Sequence, residues 1–99
     1  MKANYLNMLG LAARARKIAT GEELIIKEIQ TNRAKLVLLA NDISERSKKT
    51  LTNKCNYYKV PYIEVDDRYT LGNAIGKGER VAIAIADQGF AKKIQSLLL

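Results

Sequence analysis

Hydrophobic positions along the chain alternate between two rhythms, a helical one and a strand-like one. Leu6, Leu9 and Ala13 recur at helical spacing, with Leu11 and Ala12 broadening the stripe, so a helix is predicted over 4–15 with Asn4 as its cap. Arg14, Arg16 and Lys17 gather at its C-terminal end, where cations favour the helix dipole. Ile18-Ala19 reads as a short strand. Thr20 is a natural N-cap for a second helix, and Glu23 sits three residues on, as a capping box requires. The helix so started runs from Gly21 to about Thr31 and turns Ile25 and Ile29 inward. Asn32 to Lys35 is a turn in which Asn32 can take a positive φ.

Leu36 to Ala40 is an apolar run without alternation, the habit of a strand buried on both faces. Asn41-Asp42 stops it and is expected to cap a helix from Ile43 to about Asn56, with Glu45 three residues after Asp42. That helix carries Arg46, Lys48, Lys49 and Lys54 outside and Leu51 and Cys55 inside. Val60-Pro61 ends it and leads into Tyr62 to Val65, which alternates like a strand. Asp66 to Arg68 turns, a short helix is predicted from Tyr69 to Ile75 ending at Gly76, and Lys77 to Arg80 is a loop. Val81 to Ala86 is a second buried strand. Asp87 then caps a closing helix to about Leu98, with Phe90, Ile94 and Leu97 inward. Helices and strands in this order predict an α/β fold: a three-layer α-β-α sandwich with about four strands in a mixed sheet, as one domain over 1–99.

Composition narrows the partner. Seventeen Lys and Arg stand against ten Asp and Glu, a formal charge of +7 on 99 residues. That excess favours an anionic partner, nucleic acid or a membrane surface. No apolar run is long enough to span a bilayer, and the first 20 residues lack a secretory pattern because the cations follow the apolar part. The single cysteine, Cys55, excludes an internal disulfide and suits a reducing cytoplasm; it reads as a buried small hydrophobe.

Candidate chemistry is sparse. With no histidine there is no imidazole base and no ordinary zinc site. The phosphate-cradling G-x-x-x-x-G-K-[ST] is missing, and Gly72, Gly76 and Gly78 neither match G-x-G-x-x-G nor follow a buried strand. Asp66-Asp67 as adjacent turn acids read as solvated rather than as cation ligands. No enzyme, cofactor or metal is expected.

The start of the second helix is the informative stretch. Gly21, Glu22, Glu23 and Lys27 lie on its first turn and a half, where backbone N–H groups lack partners and the dipole is positive. Such an end holds a phosphate, and its side chains reach past it to a base edge. A plainer reading uses the same residues: Glu23 completes the cap with Thr20, and Glu23–Lys27 is an i,i+4 ion pair.

Four blocks resemble the L-seven-Ae kink-turn-binding family of ribosomal proteins. Gly21 to Lys27 is similar to its G-x-N-E-x-x-K, and Ala34 to Asp42 to its buried strand and capping aspartate. Val60-Pro61-Tyr62 matches a third block, and Leu71 to Gly76 is similar to its L-G-x-A-x-G. The blocks keep the family's order and cover nearly the whole chain. The short, basic, tail-free build is nearest to its small bacterial members.

The resemblance implies a non-catalytic, cytoplasmic, monomeric RNA-binding protein, ribosome-associated in the sense of the family, that recognises a kink-turn, a bent duplex whose sheared G·A pairs expose guanine edges. It implies that Gly21, Glu23, Leu24 and Lys27 form the recognition turn and that the loop Gly76, Lys77, Gly78, Glu79, Arg80 packs beside the kink. The chain departs from the motif where Glu23 replaces Asn and Leu24 replaces Glu. Glu22 or Glu23 can still accept from the adjacent guanine N1–H and N2–H₂ donors, Lys27 can donate to the O6/N7 side, and Leu24 can only pack. Arg80 can bind phosphate bidentately and glycines let backbone approach it; an ordinary connector would carry the same residues. Lys48 is a further candidate, and Tyr57, Tyr58 and Tyr69 could stack on bases. The altered Glu23-Leu24 pair feeds a second reading, a protein-interaction module on the same fold whose basic face docks acidic partners.

Overall fold

The computed structural model describes residues 2–98, with side chains from residue 5. Its elements in order are α1 (Lys2–Arg14), β1 (Ile18–Thr20), α2 (Glu22–Gln30), β2 (Leu36–Leu39), α3 (Glu45–Tyr58), β3 (Tyr62–Glu64), α4 (Arg68–Ala74), β4 (Ala82–Ile85) and α5 (Gln88–Leu98). The sheet has the order β1-β4-β2-β3. β4 pairs antiparallel with both β1 and β2, while β2 and β3 run parallel, so the sheet is mixed. The parallel pair needs a crossover, which α3 supplies.

The two apolar runs form the central strands, and every residue of β2 and β4 is buried. Their side chains alternate between two cores. Leu36, Leu38, Ile83 and Ile85 meet Tyr5 and Leu9 of α1, Leu71 of α4 and Ala91 and Ile94 of α5. Val37, Leu39, Ala82 and Ala84 meet Ile25 and Ile29 of α2 and Leu51 and Cys55 of α3. Helices therefore cover both faces, as a sheet with no wet side requires. The fully buried Cys55 thiol is pushed up to about 11 by desolvation.

Three caps differ from expectation. α1 begins at Lys2, so Asn4 lies inside the helix. α3 begins at Glu45 rather than Ile43, and its cap is Ser44, whose Oγ accepts from the Ser47 N–H at 3.2 Å. Asp42 is drawn away instead: its Oδ1 accepts the Arg68 N–H at 3.1 Å and its Oδ2 lies 3.3 Å from the Arg68 guanidinium. α3 also runs on to Tyr58 and closes on Lys59 with φ 60°, beyond the predicted end at Asn56. The third difference, at the start of α2, shapes the candidate site. The predicted positive φ of Asn32 is present, at 60°.

Candidate nucleic-acid interface

Thr20 does not cap α2. It is the last residue of β1, paired with Ile83 of β4, and that pairing holds it extended. Gly21 takes the N-cap position instead, with φ 90° and ψ 132° and no side-chain hydrogen bond to the helix start. The Thr20–Glu23 capping box is therefore not formed. Only glycine adopts this backbone without strain. The first helical bond runs from the Ile25 N–H to the Gly21 carbonyl at 2.9 Å. The Glu22, Glu23 and Leu24 N–H groups make no hydrogen bond among the described residues, and a Cβ built on Gly21 would meet nothing within 4 Å.

Burial of Ile25 and Ile29 fixes the rotation of α2 about its axis. Glu23, Leu24 and Lys27 consequently share its outer side and are exposed, Leu24 at 58%. The Glu23–Lys27 ion pair of the plainer reading is absent among the described residues.

The loop after α4 is built by Gly72 and Arg68. α4 is capped by Asp67, which accepts from the Thr70 N–H at 2.7 Å; that bond holds its carboxyl below the usual range. The helix closes at Gly76, φ 72°, with the Lys77 N–H donating to the Gly72 carbonyl at 2.9 Å. A Cβ on Gly72 would lie 1.9 Å from the Gly78 carbonyl oxygen, so the loop can fold onto α4 only over a glycine. Arg68 then ties the loop down: its Nη1 donates to Glu79 Oε1 at 3.3 Å and its Nη2 to the Asp42 carbonyl at 2.6 Å. The Arg80 N–H donates to the Arg68 carbonyl at 3.0 Å.

This folding brings the two expected contact surfaces together. A cleft of about 180 Å³ is lined on one side by Gly21, Glu22 and Ile25 and on the other by Glu79 and Arg80, with Leu51 of α3 also lining it. Gly21 and Glu22 at the start of α2 thus share this cleft with Arg80. Glu23, Leu24 and Lys27 flank the cleft on the outer side of α2. Gly76, Lys77 and Gly78 lie on the far side of the loop, away from the cleft lining. Lys48 stands apart from the cleft: its ammonium is 3.1 Å from Glu64 of β3, which raises its pKa. Tyr57 and Tyr69 are exposed, and Tyr57 packs edge-on against Tyr58 with centroids 4.9 Å apart.

Sequence reasoning passed over Arg68, and it named Gly72 without its part in seating the loop. Gly72 had a signal, as the glycine of the Leu71–Gly76 block. Arg68 had none, because its partnership with Asp42 spans 26 residues, and Asp42 was read as a helix cap. Asp66 and Asp67 are both engaged by the protein, Asp66 accepting from the Tyr5 hydroxyl at 2.6 Å. Among the described residues, no group of three or more acidic or cysteine side chains converges as a metal site, and no helix is long and apolar enough to cross a membrane.

Comparison with known proteins places this arrangement in a family. Residues 3–95 match the model of the ribosomal protein L7Ae/L30e/S12e/Gadd45 family. The chain is 59% identical to the RNA-binding protein YlxQ of Bacillus subtilis, over 95% of this chain and 94% of that one. It is 32% identical to the large ribosomal subunit protein eL8 of Thermoplasma volcanium, over 85% of this chain and 70% of that one. Among solved structures, a protein of unknown function from Bacillus halodurans superposes with a TM-score of 0.93 at 46% identity, covering 95% of each chain. The 15.5kD RNA binding protein of Giardia lamblia shares the fold at 21% identity, with a TM-score of 0.76 over 93% of this chain and 85% of that one. On the strength of a match that spans nearly its whole length, the chain belongs to the ribosomal protein L7Ae/L30e/S12e/Gadd45 family.

Proposed function

We propose that this protein is a non-catalytic RNA-binding protein that recognises a kink-turn and holds it bent. The observation that carries the reading is the uncapped start of α2, open at Gly21 and facing Arg80 across a narrow cleft. In this reading the N–H groups after Gly21 and the Arg80 guanidinium take phosphate oxygens. Glu22 or Glu23 accepts from guanine N1–H and N2–H₂, and Lys27 donates to a guanine O6 or N7. Leu24 packs on a splayed nucleotide. Gly76, Lys77 and Gly78 extend the loop beside the kink. Lys48 is a lesser contact, since binding phosphate would break its pair with Glu64.

The mechanism is a population shift. Free RNA samples extended and bent forms, and a protein that binds the bent form more tightly moves the equilibrium by that difference in affinity. Membership of the family, together with the RNA-binding YlxQ and ribosomal eL8 relatives, supports RNA as the partner, a ribosomal setting and a cytoplasmic location.

Titration with a kink-turn duplex and with a straight duplex of equal length and composition tests the reading. Binding of the kink-turn is expected to be much tighter and to weaken steeply with salt. Equal, weak binding of both would overturn it and favour a protein-interaction module whose exposed Leu24 and basic surface meet an acidic partner.

A further inference from the structure

Beyond the cleft, the richest unassigned surface is the seam where α1 crosses α4. Two recesses of about 720 and 450 Å³ lie along it and share Gly10, Arg14, Asn73 and Ala74, so they form one trough. The helices approach closely because position 10 is glycine; a Cβ there would lie 2.9 Å from the Ala74 carbonyl oxygen. No acidic residue lines either recess. Arg14, Arg16 and Lys77 line the larger one, are exposed, and make no ion pair among the described residues. By contrast Arg33, Lys48 and Arg68 are all paired with acids.

Arg16 is an unusual residue for its place. It holds φ 60° at the end of α1, with the Lys17 N–H donating to the Ala12 carbonyl at 2.9 Å. Glycine fills such a position most cheaply, as Gly76 does at the end of α4. Dipole compensation explains cations near these two helix ends but does not require an arginine in the left-handed position itself. The trough also has apolar walls in Ile18 and Ile75, and beside it α4 exposes Tyr69, one turn before Asn73. Unpaired cations, apolar walls and an exposed tyrosine and amide match a single nucleic-acid strand, whose phosphates need charge and whose bases need a flat surface; Glu79, the acid beside Tyr69, is paired with Arg68. The loop from Gly76 to Arg80 borders both surfaces, with Gly76 and Lys77 lining the trough and Glu79 and Arg80 lining the cleft.

We infer that the α1–α4 trough binds a single-stranded RNA segment flanking the bent duplex, with Arg14 and Arg16 on its phosphates and Tyr69 under a base. The inference rests on RNA being the partner of the cleft. It gives the protein a second anchor on the RNA and selects targets that carry an unpaired tail.

The test measures binding of a kink-turn duplex alone, the same duplex with a tail of about eight nucleotides at one end or the other, and the isolated single-stranded octanucleotide. With wild-type protein, one tailed duplex should bind roughly tenfold tighter than the untailed one, as added phosphate and stacking contacts dictate. The double variant Arg14→Gln, Arg16→Asn keeps a helix former at 14 and a residue tolerant of positive φ at 16. It should bind tailed and untailed duplexes alike, at the wild-type untailed affinity, and lose the weak binding of the octanucleotide. An untailed duplex that fails to bind while the octanucleotide still binds through these arginines would sink the kink-turn reading and leave the trough standing. A tail that adds nothing to an intact untailed affinity would overturn the trough proposal. So would an oligoglutamate peptide that binds through the same arginines while the tail has no effect.

Discussion

Gly72 and Gly78 are in contact through the space a side chain would need: a methyl group at 72 would sit 1.9 Å from the Gly78 carbonyl oxygen and 2.6 Å from its carbon. The loop from Gly76 to Arg80 is therefore pressed onto α4. Gly72→Ala should push it off, at a cost of about 1–3 kcal/mol, the usual range for overpacking. Thermal unfolding should show a fall of several degrees in a domain of this size. Kink-turn affinity should fall as well, because Arg80 leaves its place opposite Gly21; an unchanged melting temperature would mean that the loop yields freely.

Lys27 offers the cleanest separation of binding from folding. It is exposed and makes no ion pair among the described residues, so Lys27→Ala should leave the melting temperature unchanged. If the ammonium reads a guanine, the variant should lose about 1–3 kcal/mol of kink-turn binding. Lys48→Ala should lose much less, because its charge is already shared with Glu64. Equal losses for the two variants would argue for diffuse charge attraction.

Alkaline stability should depend on Tyr5. Burial, and then the hydrogen bond to Asp66, raise its hydroxyl pKa well above the ordinary 10.0. A folded-state pKa raised above the unfolded one contributes stability that is complete below about pH 10 and is lost as pH climbs beyond it. Wild-type protein should thus weaken above that point in denaturant titrations. Tyr5→Phe should lose about 1.5–3 kcal/mol at neutral pH, for the hydrogen bond to a carboxylate, and show a flatter alkaline limb.

Cys55 should be inert in the native protein. Its side chain is fully buried and its pKa is pushed up to about 11, so little thiolate exists at neutral pH. A thiol reagent added at neutral pH should react only at the rate of opening, and readily once denaturant is added.

The elements of this fold were legible because β2 and β4 are written as unbroken apolar runs, and nothing but burial on both faces explains such a run. The family resemblance likewise pointed to Gly21, Lys27 and the 76–80 loop as candidates. The caps were harder to read. Thr20 has the better capping chemistry, yet pairing with Ile83, distant in sequence, keeps it in the sheet and passes the position to Gly21. Asp42 has capping chemistry too, and Arg68 claims it across the turn. Local preference lost to long-range partnership at both sites, and the first of these losses leaves the start of α2 open.

Arg68 holds Glu79 with one side of its guanidinium and Asp42 with the other. Exchanges at 42 and 79 should then be epistatic: once one acid is gone the arginine is free to swing, and removing the second adds little further harm. Drift at these positions among relatives should be correlated, although neither carboxylate is assigned a nucleotide.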